Sequence, residues 1–499
     1  MKSKRTIAWL LTLLTIGSTL IACSDDSHKK QPDETKGTQD VSTDASTDSQ
    51  TESRELTDLE IRQSIDDGIG EADFGEKNFR IAITGSDEKI KAHYYVDSEA
   101  TDDPCNDAVY KRNLRIEERL NVLISTVEMD NVDHMIELVQ LDQNEAELYA
   151  FSAWRFHMPV EQKILYDWYD IPVVDLKKPW YNQVSNDQAT MNGTLYSLYS
   201  SLSLTSLTKL CAVFFNERLV ENYQIGKQNL YDLVNDGKWT IDKFIEYTRN
   251  IYEDVNQNNE RDDGDLFGMN YSTGEELDAF QTAFGIVLTE NDPNGTITFT
   301  LDNQQDRFVS AIDKMREYHE MDGVWTENSS QNFVNGNAVF SALYFETCFD
   351  VLREMEDVYQ ILPYPKWDEA QEDYYTAAQD EYHLYAVPKT VREDDFTFVG
   401  TVTELLSAET YKYVYPVYYD NALKGRYSKD PQTAKMVDLI VDGSRFEFSY
   451  QFSFAHFNKI AYLFRNLVND PKNNFASTWA MAKRGIDGRL PKFYELFED

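Results

Sequence analysis

The sequence predicts an α/β fold divided into two lobes or domains. Two observations carry this reading. Between Phe79 and Trp154 short apolar runs alternate with helix-period segments, and more than four hundred residues follow residue 75, too many for one compact core. "FRIAITG" (79–85) is an apolar run closed by Gly, a buried strand. "AVYKRNLRIEERLNVLIST" sets Tyr110, Leu114, Glu117 and Arg119 in helical phase and makes Val122 to Ile124 the next strand. "DHMIELVQLDQ" then reads as helix and "AELYAFSAW" as strand. This alternation predicts a parallel sheet with crossover helices, and ligands of such sheets sit beyond the carboxyl ends of the strands. Gly85, Ser86 and Asp87 follow the first strand and Trp154 and Arg155 the third, so Asp87, Trp154 and Arg155 are candidate ligand residues.

The N-terminus has the layout of a secretory signal. Lys2, Lys4 and Arg5 precede an apolar run from Ile7 to Ile21, and small Ala22 stands before Cys23. Leu20-Ile21-Ala22-Cys23 also resembles the bacterial lipobox, which implies cleavage after residue 22 and a diacylglycerol on the Cys23 thiol. Two or three acyl chains anchor a domain stably, where one binds it reversibly. From Ser24 to Glu55 the chain is nearly all Ser, Thr, Asp, Glu, Lys, Gln and Gly, too polar to bury a core. The reading is a disordered acidic tether over 23–75, with a reach of about 30 Å for its first thirty or so residues.

A formal net charge of −40 argues against nucleic acid, whose phosphates require a basic footprint, and against a body lying on anionic lipid. Membrane contact is therefore expected through the anchor only. Beyond Cys23 the cysteines are Cys105, Cys211 and Cys348, an odd count without C-x-x-C. Cys211 and Cys348 read as small buried hydrophobes, and Cys105 stays open. The sequence has no Walker loop, H-E-x-x-H, G-x-S-x-G or G-x-G-x-x-G.

In "GKWTIDKF", Thr240 is a helix N-cap and Trp239 with Phe244 has staple spacing, so Trp239 reads as structural. "NFVNGNAVFSALYF" reads as a polar turn and a buried strand whose end delivers Tyr344 and Phe345 to an edge. "DVNQNNERDDGD" has the spacing of a calcium loop, with Asp254, Asn256, Asn258, Glu260 (through its carbonyl), Asp262 and Asp265 at positions 1, 3, 5, 7, 9 and 12. Asn259 replaces the usual Gly, and Asp265 the usual bidentate Glu. A structural Ca2+ stands here against a plain Asx-rich turn. Aromatics make up 13% of the chain, with 31 Tyr. Sugars present apolar faces ringed by hydroxyls, so a carbohydrate site wants flat rings edged by carboxylates, amides or Arg. Tyr199, in "YSLYSSLSL", is a further candidate, equally able to be packing.

The blocks "NDAVYKRNLRIEERLNVLI", "PWYNQ", "FFNERLVENY", "LYDLVNDGKWTIDKFIEYTRNIYEDVN", "ILPYPKWDEAQEDYYT" and "PVYYDNALKGRYSKD" resemble the extracellular solute-binding proteins of family 1, lipid-anchored receptors of bacterial carbohydrate ABC importers. The resemblance implies a two-lobed periplasmic-binding-protein-like fold, each lobe a sheet flanked by helices, hinged around a ligand cleft, a carbohydrate ligand, ABC permease subunits as partners, a monomer, and a place on the outer face of the cell membrane. It implies lobe 1 over 76–207 and 376–425 and lobe 2 over 208–375 and 426–499, with crossings near Leu204 to Lys209 and near "YYTAAQDEYHLYAVP". It implies binding, not catalysis. The rival is a secreted glycoside hydrolase, which needs two carboxylates about one glycosidic bond. Acidity alone does not discriminate, since 87 Asp and Glu are present. A third reading is a surface lipoprotein with the receptor fold and no ligand.

Overall fold

The computed structural model describes residues 57–84, 87–99, 102–292, 295–348, 350–419 and 431–498. The predicted signal, Cys23, the tract to residue 56, Gly85, Ser86 and the end of the "PVYYDNALKGRYSKD" block lie outside these.

The first sheet is built as the alternation predicts. Strands β1 (Lys77–Thr84), β2 (Val122–Met129) and β3 (Leu148–Ser152) run parallel, with Phe79 opposite Ile124 and Ile81 opposite Leu148. The helix Pro104–Leu120 crosses from β1 to β2; Asp103 caps it by accepting from the Cys105 N–H, and Asn121 ends it in the left-handed conformation at φ 52°. The helix Val132–Gln140 crosses from β2 to β3, capped by Asn131.

The second sheet is mixed. Strands β4 (Cys211–Asn216), β5 (Tyr252–Glu253), β6 (Leu266–Asn270), β9 (Val324–Trp325), β10 (Ala338–Tyr344) and β11 (Tyr359–Leu362) order as β11-β4-β10-β6-β5, with β9 on β6. β7 (Thr289–Asn291) and β8 (Ile297–Phe299) form a hairpin, and β12 (Thr376–Ala377) pairs β14 (Ser444–Arg445). The chain then returns to the first sheet, where β13 (His383–Ala386) lies antiparallel to β3. The outgoing passage is 203–210 and the returning one 378–382. They touch where the Gln379 N–H donates to the Lys209 carbonyl at 2.9 Å. Before β10 the structure has a short helix, Ser329–Val334, so "NFV" is helical and the turn is confined to 335–337.

The C-terminal helices serve both lobes. Residues 431–442 return to the second sheet, where Thr433 meets the Tyr231 hydroxyl at 3.1 Å, and Phe475 packs on Phe308 at 5.2 Å. Phe497 instead packs on Tyr196 of the first lobe at 5.5 Å. Trp239 is fully buried with its ring 5.4 Å from Phe244, a staple across the Thr240 cap.

Residues 57–75, grouped with the tether on composition, are instead part of the first lobe. Thr57 and Glu60 form a capping box on the helix Asp58–Ser64. Ile65, Ile69, Ala72 and Phe74 then pack on the core, Phe74 reaching the Phe398 ring at 5.1 Å, while Arg119 binds the Asp67 carboxylate at 2.9 Å. Four apolar residues spaced among acids suffice to dock a segment whose average composition is that of a coil. Among the described residues no helix is long and apolar enough to cross a membrane.

Arg112 is buried in the helix Pro104–Leu120 and donates to the Tyr94 carbonyl (2.7 Å), the Leu202 carbonyl (3.0 Å), the Asn113 side-chain oxygen (2.8 Å) and the Thr410 hydroxyl (2.9 Å). Burial pulls its guanidinium down to about 10, still charged at neutral pH. We expect Arg112→Met to cost about 2–4 kcal/mol, because four buried oxygens lose a donor and only the Tyr94 and Leu202 carbonyls keep another, from the Asn113 amide and the Thr410 hydroxyl. Urea unfolding measures this; a loss under about 1 kcal/mol would show that the acceptors find other partners.

Candidate functional site

The carboxyl ends of β1 and β3 in one lobe face the ends of β6 and β10 in the other, with both passages at the base of the gap. Two hollows occupy this gap. The first, of about 430 Å³, is walled by Trp154 just after β3, by Glu275 at the start of the helix Glu275–Ala283 after β6, by Gln379, Asp380 and Glu381 of the returning passage, and by Phe454, Lys459, Tyr462 and Arg465. Its aromatics form a run. Trp154 lies 5.8 Å from Phe454, and Phe454 lies 5.2 Å from Tyr462. Phe454 is 43% exposed, an unusual state for so large an apolar ring. A cation stands over each ring of the run. The Arg155 guanidinium sits 4.4 Å from the Trp154 ring centre, Lys459 5.4 Å from Phe454 and Arg465 4.9 Å from Tyr462.

Polar groups below the rings are already tied. Arg465 donates to Glu275 at 2.8 Å and to Asp278, and the Tyr462 hydroxyl donates to Asp380 at 2.5 Å. Burial raises the Asp380 carboxyl, against the pull of Tyr462. These contacts fix the rotamers of Tyr462 and Arg465, so the wall is ordered before any guest arrives.

The second hollow, of about 540 Å³, shares Glu381 with the first. Asp87, Lys89, His93 and Asp103 wall it from the first lobe, Lys209 from the outgoing passage, and Glu346, Asp350 and Arg353 from the second lobe. Two ion pairs cross between the lobes here, Lys89 to Asp350 at 2.6 Å and Arg353 to Asp103 at 3.1 Å. At the base Lys209 binds Glu346 at 2.8 Å. Burial, then Lys209, pushes the His93 imidazole down to about 4, so it is neutral at pH 7 and the hollow's cations are Lys and Arg alone.

No family model matches the chain, and no curated protein matches it in sequence. Solved structures do match it. An ABC substrate-binding protein from Listeria monocytogenes in complex with cycloalternan superposes with a TM-score of 0.51 at 12% identity, over 84% of this chain and 99% of that one. A cyclo/maltodextrin-binding protein complexed with maltotetraose gives a TM-score of 0.51 at 12% identity, over 84% of this chain and 97% of that one. The chain has the periplasmic-binding-protein-like fold. Both of these structures are of binding proteins.

Within the periplasmic-binding-protein-like architecture the residues singled out from sequence separate. Trp154 walls the first hollow, with Arg155 stacked on it, and Asp87 walls the second while its carboxylate caps the helix Glu88–Ala92. Three others lie elsewhere. Phe345 is fully buried, its N–H donating to the Leu210 carbonyl, because the chain turns into a 3-10 helix as soon as β10 ends. Tyr344 lines neither hollow, and burial drives its phenol well above the usual range. Tyr199 is buried, with its hydroxyl accepting from Gln451 at 2.5 Å, and it borders a separate cavity of about 280 Å³ together with Tyr382 and Tyr415. Sequence reasoning missed Phe454, Tyr462, Arg465, Asp380 and Glu381. The signal was the aromatic density of "SYQFSFAHFNKIAYLF", but most of its rings are core. Cys105, Cys211 and Cys348 are free and buried, and burial pushes the Cys105 thiol up to about 12.

The 254–265 segment is a tight loop of side chain to backbone bonds. Asn256 and Asn258 accept from the N–H groups of Asn258 and Glu260, their amides donate to Asp262, and Asn259 takes φ 60°. Asp254 Oδ1 and Asp265 Oδ1 are buried without a hydrogen-bond partner. Orphaned carboxylate oxygens at positions 1 and 12 fit a hard cation, whereas Asn256 and Asn258 must turn from the backbone to ligate it. Among the described residues no three His, Cys, Asp or Glu side chains group to hold a metal, so the amides and the Glu260 carbonyl are needed to complete a shell.

Glu276 lies just behind the first hollow, accepting from the Ser272 N–H and from Ser329 Oγ at 3.3 Å, and burial pushes its carboxyl from 4.5 up to about 8. Between these values the folded chain holds a proton that the unfolded chain has lost, so stability falls as pH rises through the window. We expect Glu276→Gln to match the wild type near pH 4.5 and to melt roughly 2–4 °C higher by pH 8. A constant difference across a pH series of melts would assign the proton elsewhere.

Proposed function

We propose that the protein is an extracellular solute-binding receptor of family 1. On this reading it is held on the outer face of a bacterial membrane by lipid on Cys23. It captures a sugar or oligosaccharide between its lobes as a monomer and passes it to the permease subunits of an ABC importer. The observation that carries this is the gap itself. A run of rings, Trp154, Phe454 and Tyr462, is edged by Glu275, Asp380, Glu381 and Lys459 between the strand ends of two lobes joined by narrow passages. Rings give the C–H face of a sugar a flat seat, and carboxylates accept its hydroxyl protons. The two solved structures that share the fold, one in complex with cycloalternan and one with maltotetraose, support a glycan guest. Closure follows when the guest touches both lobes, because it then binds the shut form more tightly than the open one. The signal layout and lipobox support the anchor, and the sequence blocks support the importer.

We also read the 254–265 loop as a structural calcium site remote from the chemistry of capture, with Asp254, Asn256, Asn258, Glu260, Asp262 and Asp265 as its oxygen donors. Its support is the loop spacing together with the two orphaned carboxylate oxygens.

A glycan panel in a thermal-melt assay is expected to give a saturable upward shift with at least one oligosaccharide and no released reducing ends. Trp154→Ala or Phe454→Ala is expected to weaken that binding about tenfold or more, equivalent to about 1.4 kcal/mol. A panel without any shift, or sugar hydrolysed in proportion to protein, would sink the receptor reading. For the loop, calorimetry on chelator-treated protein is expected to show one calcium site with Kd between about 10⁻⁶ and 10⁻³ M, lost in Asp265→Ala. Absence of heat in the wild type removes the metal.

A further inference from the structure

We propose that the gap takes saccharides without acidic groups and rejects those bearing uronate, sulfate or phosphate. This rests on the carbohydrate reading above and narrows it to a substrate class.

The argument is a balance of charge and of hydrogen-bonding capacity. In the first hollow the carboxylates Glu275, Asp380 and Glu381 face the cations Lys459 and Arg465. In the second, Asp87, Glu88, Asp103, Glu346, Asp350 and Glu381 outnumber Lys89, Lys209 and Arg353. The cations, moreover, are occupied. Arg465 lies between Glu275 at 2.8 Å and Asp278, Lys209 is 2.8 Å from Glu346, Lys89 is 2.6 Å from Asp350 and Arg353 is 3.1 Å from Asp103. The ammonium of Lys459 rests over the Phe454 ring and the guanidinium of Arg155 over Trp154. An acidic sugar seated here must either take Arg465, Lys209, Lys89 or Arg353 from its carboxylate partner, which then faces the sugar's own charge at short range in a partly desolvated gap, or draw Lys459 or Arg155 away from the ring it covers. A sugar of hydroxyls alone meets no such conflict. Carboxylates accept and never donate when ionised, and hydroxyls supply the protons they need. The far field agrees, since a chain with a net charge of −40 repels anions before contact.

The test is calorimetry on the full chain with matched probes: malto-, cello-, xylo- and mannotetraose against galacturonate, mannuronate and chondroitin oligosaccharides of similar length. At least one neutral probe is expected to bind, and every acidic probe to bind at least tenfold more weakly. Glu381→Lys reverses a charge shared by both hollows on a side chain that is half exposed and 3.9 Å from Lys209, and a melting curve of the variant checks that it folds. The variant is expected to narrow the discrimination fivefold or more by gain toward an acidic probe. An acidic oligosaccharide binding the wild type more tightly than every neutral one, with affinity falling as salt is added, overturns this inference and leaves the receptor reading standing. Discrimination unchanged in Glu381→Lys also counts against it. Silence from every probe overturns both.

Discussion

A charge held inside the first lobe by neutral acceptors alone fixes the base of the molecule. Arg112 ties its own helix to the segment at Tyr94, to Leu202 just before the outgoing passage and to the helical run at Thr410. A guanidinium has donors in a rigid fork and cannot shed its proton, so each of these segments must stand where the fork points. The chain just before the outgoing passage is thereby fixed to the first lobe. Tyr385 extends the same network, its hydroxyl meeting Ser203 at 2.8 Å and Tyr94 at 3.4 Å. The partly exposed ion pair of Arg115 with Glu409, at 2.7 Å, joins the same helix to the same run and adds little beside it.

On that base the site assembles from parts remote in sequence. Trp154 comes from the end of a strand, Asp380 and Glu381 from the returning passage, Phe454, Tyr462 and Arg465 from the C-terminal region and Glu275 from a helix start in the other lobe. Two of them are held by carboxylates, one behind the wall and one within it. Asp278 anchors Arg465, and Asp380 anchors Tyr462. The aromatic content that suggested a sugar site is thus divided. Most rings fill the two cores, and a few are left at the gap because the strand ends stop there.

The strand and helix order of the first lobe was legible because each element carries a local signal. Short apolar runs such as "FRIAITG" and caps such as Asp103 and Asn131 need no knowledge of distant residues. The placement of Trp154 and Asp87 at strand ends followed from the same alternation. What sequence could not display was the partner of each ring. Trp154 and Phe454 meet across three hundred intervening residues, and a tyrosine such as Tyr199, buried beside Tyr382 and Phe446, has the same local surroundings in sequence as one facing solvent. Phe345 failed for a related reason. Alternation along a strand says which side a residue faces, but a 3-10 turn at the strand end resets the phase. The segment 57–75 shows the converse, with a coil-like average hiding four well-spaced anchors.

That segment also decides how force enters the molecule. Its helix and the strand-like run after it are clamped wholly on one half, through Phe74 on Phe398, Arg62 over Tyr411, Lys178 on the Asp66 carbonyl and Arg119 on Asp67. Any pull applied at residue 57 is therefore borne first by this half, and reaches the half carrying β4 to β11 only through the passages 203–210 and 378–382 and the C-terminal helices that pack on both.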